Sequence, residues 1–500
     1  MRISRYKLIG ISIGLLIAFS LFFFIYLTAR YTYTPTDPMI VETDKNLKIA
    51  VIGAGASGLT AAHTLKESGY KNVTIFEREA TAGGKVCSYE YNGHFYELGA
   101  VYFDSVYSHT MLDLIKDFDV DYEDWNGPIG TFNMKGKWWF RRDMKETIAK
   151  VPPKFRAKFQ SNQDSKKLSA KWNKFQLLKA YLNWKWILFK HQRTMVSTPG
   201  FPATLSEMYP NFKDFAVTHH LVPMAHPMSV FMTACGYGYH EEIPAINYMK
   251  VIPVALARDR RRSCFKNGWQ SFWQKVADSL TVRYNAEVTK ITRFKDGNQD
   301  KIEITACGQT KFFDRVIISA PLELAHHFMT LSEKEASLFK KIRNFEYYVT
   351  LIKLKKSLNK DPNLPNQPLT GGVIDHIYPD TIGHIVCVFK SMHNDENVYT
   401  FYQLNNWRKS PDEMFQILTD DIRTLGGEID EKAPNNGIII QKRWTYFPHV
   451  STKDLQKGFY EDLMDLQGVQ GTYYIGSIMD FESVEHTARF SKYLMERHFH

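Results

Sequence analysis

The chain has 500 residues, too many for one simple core, and its 44% apolar and 23% charged composition is that of an ordinary globular protein with two joined domains. The formal net charge of +10 is concentrated, because residues 154 to 193 hold eleven lysines and arginines against Asp164 alone. This pattern argues for a local anionic surface or substrate, and no nucleic-acid motif accompanies it, so a nucleic-acid partner is not expected. The five cysteines, Cys87, Cys235, Cys264, Cys307 and Cys387, form no C-x-x-C, which argues against a disulfide framework and a thiolate metal site.

Residues 8 to 29 (LIGISIGLLIAFSLFFFIYLTA) are apolar and uncharged. A helix of this length spans about 33 Å, enough for a bilayer core of ~30 Å. The run is longer than a signal-peptide core and lacks a good small-x-small site, so residues 1–30 are expected to be an uncleaved transmembrane anchor. Arg2, Arg5 and Lys7 precede it and Arg30 alone follows closely, which puts the N-terminus in the cytoplasm and the main domain across the membrane. Residues 31–46 read as a polar tether.

The next element is a strand ending near Ile52, followed by helical composition from Ser57 to Ser68. Gly53, Gly55 and Gly58 lie between them as G-x-G-x-x-G. In such a motif the first glycine permits the strand-to-helix turn. The second lets backbone approach a pyrophosphate, and the third lets helix and strand pack closely. The helix N-terminus then directs free N–H groups at the phosphates. Residues 72 to 77 (NVTIFE) read as the following strand. Glu77, about twenty residues after the glycines, is placed to accept ribose hydroxyls. The motif alone leaves NAD and FAD both open.

Residues 78 to 100 (REATAGGKVCSYEYNGHFYELGA) add Gly83-Gly84-Lys85 and Glu97-Leu98-Gly99-Ala100. With these the chain resembles the FAD-dependent amine oxidase superfamily over roughly residues 48 to 496. The resemblance implies an α/β fold: a Rossmann-like FAD-binding domain assembled from 47–105, 255–322 and 465–496. An α+β substrate domain would be inserted as 106–254 and 323–464. It also implies that Gly83, Gly84 and Lys85 pass the pyrophosphate and ribityl chain, and that backbone at Val288 (within VRYNAEVTKITRF) meets the adenine. Gly476 and Ser477 would sit near the ribityl phosphate, and Val484 and Glu485 at the helix start under the flavin. The expected cofactor residues are therefore Gly53, Ala54, Gly55, Ala56, Ser57, Gly58, Glu77, Arg78, Gly83, Gly84, Lys85, Val288, Gly476, Ser477, Val484 and Glu485.

Amine oxidases of the superfamily hold the amine between two aromatic rings. One ring comes from a Gly-Tyr pair that aligns here with Ser483-Val484, which disfavours amine oxidation unless Phe481 or Tyr473 compensates. The segments GGKVCS, TACGYGYHEEIPAINYMK, RWTYFPHV and YYIGS look closer to flavin-dependent polyunsaturated fatty-acid isomerases. The leading expectation is an FAD oxidoreductase acting by hydride transfer on a lipophilic, unsaturated fatty-acid-like substrate. A redox-neutral isomerase stands close beside it, followed by an amine oxidase and a non-catalytic, membrane-tethered flavin-binding protein. Arg141 and Arg142 are candidates for a substrate carboxylate, although ordinary surface arginines fit the sequence as well. Phe231, Tyr237 and Tyr239 are candidates for pocket walls, with core packing the competing reading. No residue is assigned a catalytic proton transfer, and His219, His220 and His226 lack the carboxylate pattern of a metal site. Residues 172 to 189 interleave aromatics with lysines, as a membrane-interface helix does.

Overall fold

The structure, a computed structural model, describes residues 41–125, 130–132, 138–141, 174–197, 199–255, 261–358, 371–376, 381–390, 397–430, 432 and 434–500. The expected anchor at residues 8 to 29 lies outside these residues, as do Arg142 and the basic segment ahead of residue 174. Among the described residues no helix is long and apolar enough to cross a membrane.

Five short strands form a wholly parallel sheet in the order Val282–Arg283, Asn72–Phe76, Lys48–Ile52, Arg315–Ile318, Thr472–Tyr474. Strand Lys48–Ile52 is buried after its first residue, as a strand covered on both faces must be. The chain passes from it to a neighbour on one side and later returns on the other. The crevice at its carboxyl end is therefore a topological switch point, where open α/β sheets bind ligands. Helix Ala56–Glu67 starts in that crevice and packs against the last helix, Val484–His498. The two are joined by a 2.7 Å hydrogen bond between the hydroxyls of Ser57 and Ser491.

The second layer is a sheet around strand Arg343–Lys356, which pairs antiparallel with Val398–Asn405 on one side and Ile438–His449 on the other. The sheet continues through Ile385–Lys390, Gly371–Ile374, Gly130–Phe132 and Trp138–Arg141. Helix Val222–Ala234 packs on this sheet, helix Ala245–Ala255 packs on that helix, and helix Lys174–Ser197 packs on both helices.

The segment expected as a tether is docked where it is described. The Glu42 N–H donates to the His498 carbonyl (2.7 Å) and the Glu42 carbonyl accepts from the His500 N–H (3.1 Å). The Glu42 carboxylate also accepts from Arg315 Nε (2.5 Å), and the Tyr70 hydroxyl donates to the Glu42 carbonyl (2.6 Å).

Glu97 fastens the hairpin of strands Ser88–Tyr91 and His94–Glu97 to helix Trp269–Asp278. Its carboxyl accepts from the Trp269 N–H and the Ser88 hydroxyl, both at 2.8 Å. Burial pushes its pKa up to about 8 against the downward pull of those two donors. The folded state thus holds the proton to about pH 8, whereas the unfolded chain releases it near pH 4.5. Stability from this group is full at low pH and is lost as pH rises through 8. Glu97→Gln, which cannot ionise, should gain on wild type between pH 5 and pH 9 in thermal unfolding. A Tm difference that does not change with pH would refute this.

Candidate active site

The close approach of three backbone segments builds the site. Gly53 turns the chain with φ +104°, and its N–H donates to the Phe76 carbonyl (2.8 Å). A Cβ on Gly58 would lie 2.0 Å from the Gly53 carbonyl oxygen, so only glycine lets the helix start this near the strand. The loop through Gly83 and Gly84 runs beside Gly55: the Gly83 N–H donates to the Ala54 carbonyl (2.9 Å), and a Cβ on Gly84 would sit 3.1 Å from the Gly55 Cα.

Helix Ala56–Glu67 begins with no side-chain cap and no acidic residue in its first turn. Ala56 and Ser57 line a cavity of about 1710 Å³. An uncapped helix start aimed into a cavity is an anion site. Glu77 ends the neighbouring strand at the cavity wall, buried, with one carboxylate oxygen on the Ala54 N–H (2.7 Å) and the other on the Glu79 N–H (2.9 Å). Each oxygen keeps a lone pair for a ribose hydroxyl. Arg78, Gly53, Gly55, Gly83, Gly84, Lys85, Val288, Gly476, Ser477, Val484 and Glu485 line the same cavity. Ala54 and Gly58 stand behind it, one orienting Glu77 and the other permitting the packing. These features fit a dinucleotide: an anion site, a buried acid at the end of the neighbouring strand and a floor without side chains.

Lys85 and Glu485 are also engaged with the chain itself. Lys85 donates to the Glu482 carboxylate (2.8 Å), and that carboxylate also accepts the Phe447 N–H (3.0 Å). Glu485 accepts from the N–H groups of Thr110 and Met111 and so caps helix His109–Asp117; burial pushes its carboxyl up while those donors pull it down.

Beyond Lys85 the cavity continues without a break into the second layer. One face of the sheet supplies Val373, Cys387, Phe389, Tyr402, Tyr347, Val349, Trp444 and Tyr446, and one face of helix Val222–Ala234 supplies Pro227, Met228, Phe231 and Ala234. The Tyr347 hydroxyl donates to the Ala234 carbonyl (2.5 Å) and ties the two faces together. Tyr237, Tyr446, Tyr347 and Tyr402 follow one another ring to ring, with centroids 6.0, 5.2 and 5.7 Å apart. Burial pushes all four hydroxyls well above the usual tyrosine range, so this wall is neutral. The Tyr237 hydroxyl donates to the Glu482 carbonyl (3.0 Å), which brings the substrate wall and the Lys85 contact onto one residue.

Phe231 and Tyr237 are thus on the cavity, whereas Tyr239 is not. Tyr239 is fully buried against Phe345, because the left-handed turns at Gly236 and Gly238 send it into the core. Arg141 is described in backbone only, on an edge strand opposite Gly130. Among the described residues, Lys442 and Arg443 are cationic side chains at the substrate end, both exposed. Arg443 pairs with Glu346 (2.5 Å), and Lys442 lies 5.1 Å from the Trp444 ring centroid. Phe481 and Tyr473 do not restore an amine cage. Phe481 backs Tyr237 from outside the cavity, and Tyr473 is buried against His498 and Phe499.

A family model described as flavin containing amine oxidoreductase matches residues 56–479. The chain belongs to this family. FAD is its cofactor, and the protein is a flavin-dependent enzyme. Among its relatives, the polyenoic fatty acid isomerase of Ptilota filicina is 25% identical over 491 residues, 88% of this chain and 92% of that protein. An uncharacterised protein of Acanthamoeba polyphaga mimivirus is 24% identical over 86% of this chain and 89% of its own length. In fold, the CLA-producing fatty acid isomerase from P. acnes superposes with a TM-score of 0.76 at 23% identity, over 91% of this chain and 99% of that one. Putrescine oxidase superposes at 0.59 and 14% identity, over 90% and 98%.

Glu77→Gln replaces one acceptor oxygen with an amide that cannot accept. The loss of a hydrogen bond to a charged group costs about 1.5–3 kcal/mol, so FAD retention should weaken roughly tenfold or more. The ratio of flavin to protein absorbance after purification measures this, and an unchanged ratio would remove Glu77 from the cofactor site.

Proposed function

We propose that this flavoenzyme isomerises polyunsaturated fatty-acid-like chains, taking a hydride from a carbon between two double bonds and returning it to another carbon of the same chain. The observation that carries this reading is the continuous cavity, whose dinucleotide end opens directly onto a neutral wall of tyrosine, tryptophan and aliphatic side chains. Bound FAD supplies the hydride acceptor and donor. The protein's share is to hold the chain flat between the sheet face and helix Val222–Ala234 and to exclude water. The hydroxyls of Tyr237 and Tyr347 are spent on backbone carbonyls, which suits a reaction that needs no proton donor beside the alkene. The likeness to the Ptilota filicina isomerase along most of both chains supports the same reading.

An amine would need rings on opposite sides of its nitrogen, each within ~6 Å. The tyrosines here stack into one wall, and Val484 stands at the aligned cage position. Residues 8 to 29 are read as a single-pass anchor that places the enzyme at the membrane, where such substrates partition.

Holoenzyme in detergent, mixed anaerobically with a polyunsaturated fatty acid, should form conjugated diene in many-fold excess over enzyme without lasting flavin bleaching. Stoichiometric bleaching reversed by air would instead mean net oxidation of the lipid. Neither signal, or peroxide formed with polyamines, would sink the lipid reading. Lys442 is the rim cation placed for a carboxylate. Lys442→Met should raise KM by up to about fivefold, the scale of an exposed ion pair, with kcat unchanged and no effect on a fatty-acid methyl ester. Equal effects on acid and ester would move the carboxylate elsewhere.

A further inference from the structure

Helix Lys174–Ser197 has two apolar faces. At helical spacing Ala180, Trp184, Ile187 and His191 point inward and are buried. They pack toward helices Val222–Ala234 and Ala245–Ala255, which wall the substrate end of the cavity. On the opposite side, also at helical spacing, stand Phe175, Leu178, Leu182 and Trp186, which are 74%, 54%, 57% and 64% exposed. Large apolar side chains scattered singly over a surface are ordinary, but an aligned stripe of four is an interaction surface. Lys179 and Lys185 flank the stripe on its two sides, Lys185 with its ammonium 5.6 Å from the Tyr181 ring centroid. Lys190, one turn beyond Trp186, pairs with Glu207 at 2.6 Å.

We propose that this face docks on the surface of an anionic lipid bilayer, with the stripe in the acyl boundary and the lysines at headgroup level. Charge complementarity selects this occupant. Helix Lys174–Ser197 holds no acid of its own, and by sequence it ends a stretch, residues 154 to 193, with eleven basic residues and Asp164 as its one acid. A water-exposed apolar stripe edged by lysines is the pattern of helices that lie in the interface plane. The contact is separate from the anchor read at residues 8 to 29 and does not depend on the substrate being a fatty acid. It sets the outer side of the substrate layer against lipid, while helices Val222–Ala234 and Ala245–Ala255 beneath it face the cavity.

The test uses the full-length holoenzyme in vesicles of brominated phosphatidylcholine, with and without brominated phosphatidylserine. Bromine quenches tryptophans that reach the acyl region. Quenching of wild type should exceed that of Trp186→Phe on phosphatidylserine vesicles. The excess should shrink in high salt and on phosphatidylcholine alone. Leu182→Glu keeps Trp186 and should lose the excess while retaining wild-type flavin content, which reports that the fold is intact. Equal quenching of wild type and Trp186→Phe on phosphatidylserine vesicles would overturn the proposal. So would a dimer that Leu182→Glu converts to monomer in sedimentation, because the stripe would then be a subunit contact. Shielding of Trp186 from aqueous iodide before lipid is added would overturn it too, by showing the stripe covered by the chain itself.

Discussion

Everything in this molecule is arranged around a place where backbone must touch backbone. The end of strand Lys48–Ile52, the start of helix Ala56–Glu67 and the Gly83-Gly84 loop meet so closely that no Cβ fits at Gly58. That approach leaves a trough floored by peptide groups, with an uncapped helix N-terminus at one side and the Glu77 carboxylate at the other. The contact is non-covalent, and it recruits distant sequence. Strand Thr472–Tyr474 and helix Val484–His498 complete the same sheet and the same trough from the far end of the chain.

The substrate layer is positioned from that trough through Glu482. Its carboxylate holds Lys85 from the cofactor loop and the N–H of Phe447 from the sheet, and its carbonyl holds Tyr237. Phe447 has φ +54°, a left-handed conformation unfavourable for a bulky residue, and its N–H bond to Glu482 helps to hold it there. The kink lies just after Tyr446, the ring that links Tyr237 to Tyr347 in the cavity wall. A charge pair, a strained peptide and an aromatic stack therefore meet at the boundary between cofactor and substrate.

The dinucleotide half of the site was legible because its chemistry is written in local spacing. Glycines at fixed offsets, a strand before them and an acid about twenty residues later carry their meaning without tertiary information. The substrate half was legible only in part. Phe231 and Tyr237 lie in one helix and the turn that follows it, whereas Tyr347, Tyr402, Trp444 and Tyr446 come from three strands. Their alignment depends on a register that pairs Tyr347 with Trp444 and Val349 with Tyr402. One sequence does not contain that register. Tyr239 shows the same limit at short range, since the left-handed turns at Gly236 and Gly238 decide which of two neighbouring tyrosines reaches the cavity.

The docking of Glu42 against His498 and His500 has a consequence for how the protein comes apart. Glu42 and the last helix are fastened to each other in the dinucleotide layer, and the described strands and helices of the substrate layer lie between them in sequence. Loosening the substrate layer is therefore an internal opening between those fixed points. Longer excursions add only slowly to the entropic cost of closure, so large segments can be carried in the substrate layer at little expense to the fold. A family built this way is free to vary the chamber that meets the substrate while the fastening that holds the flavin is left alone.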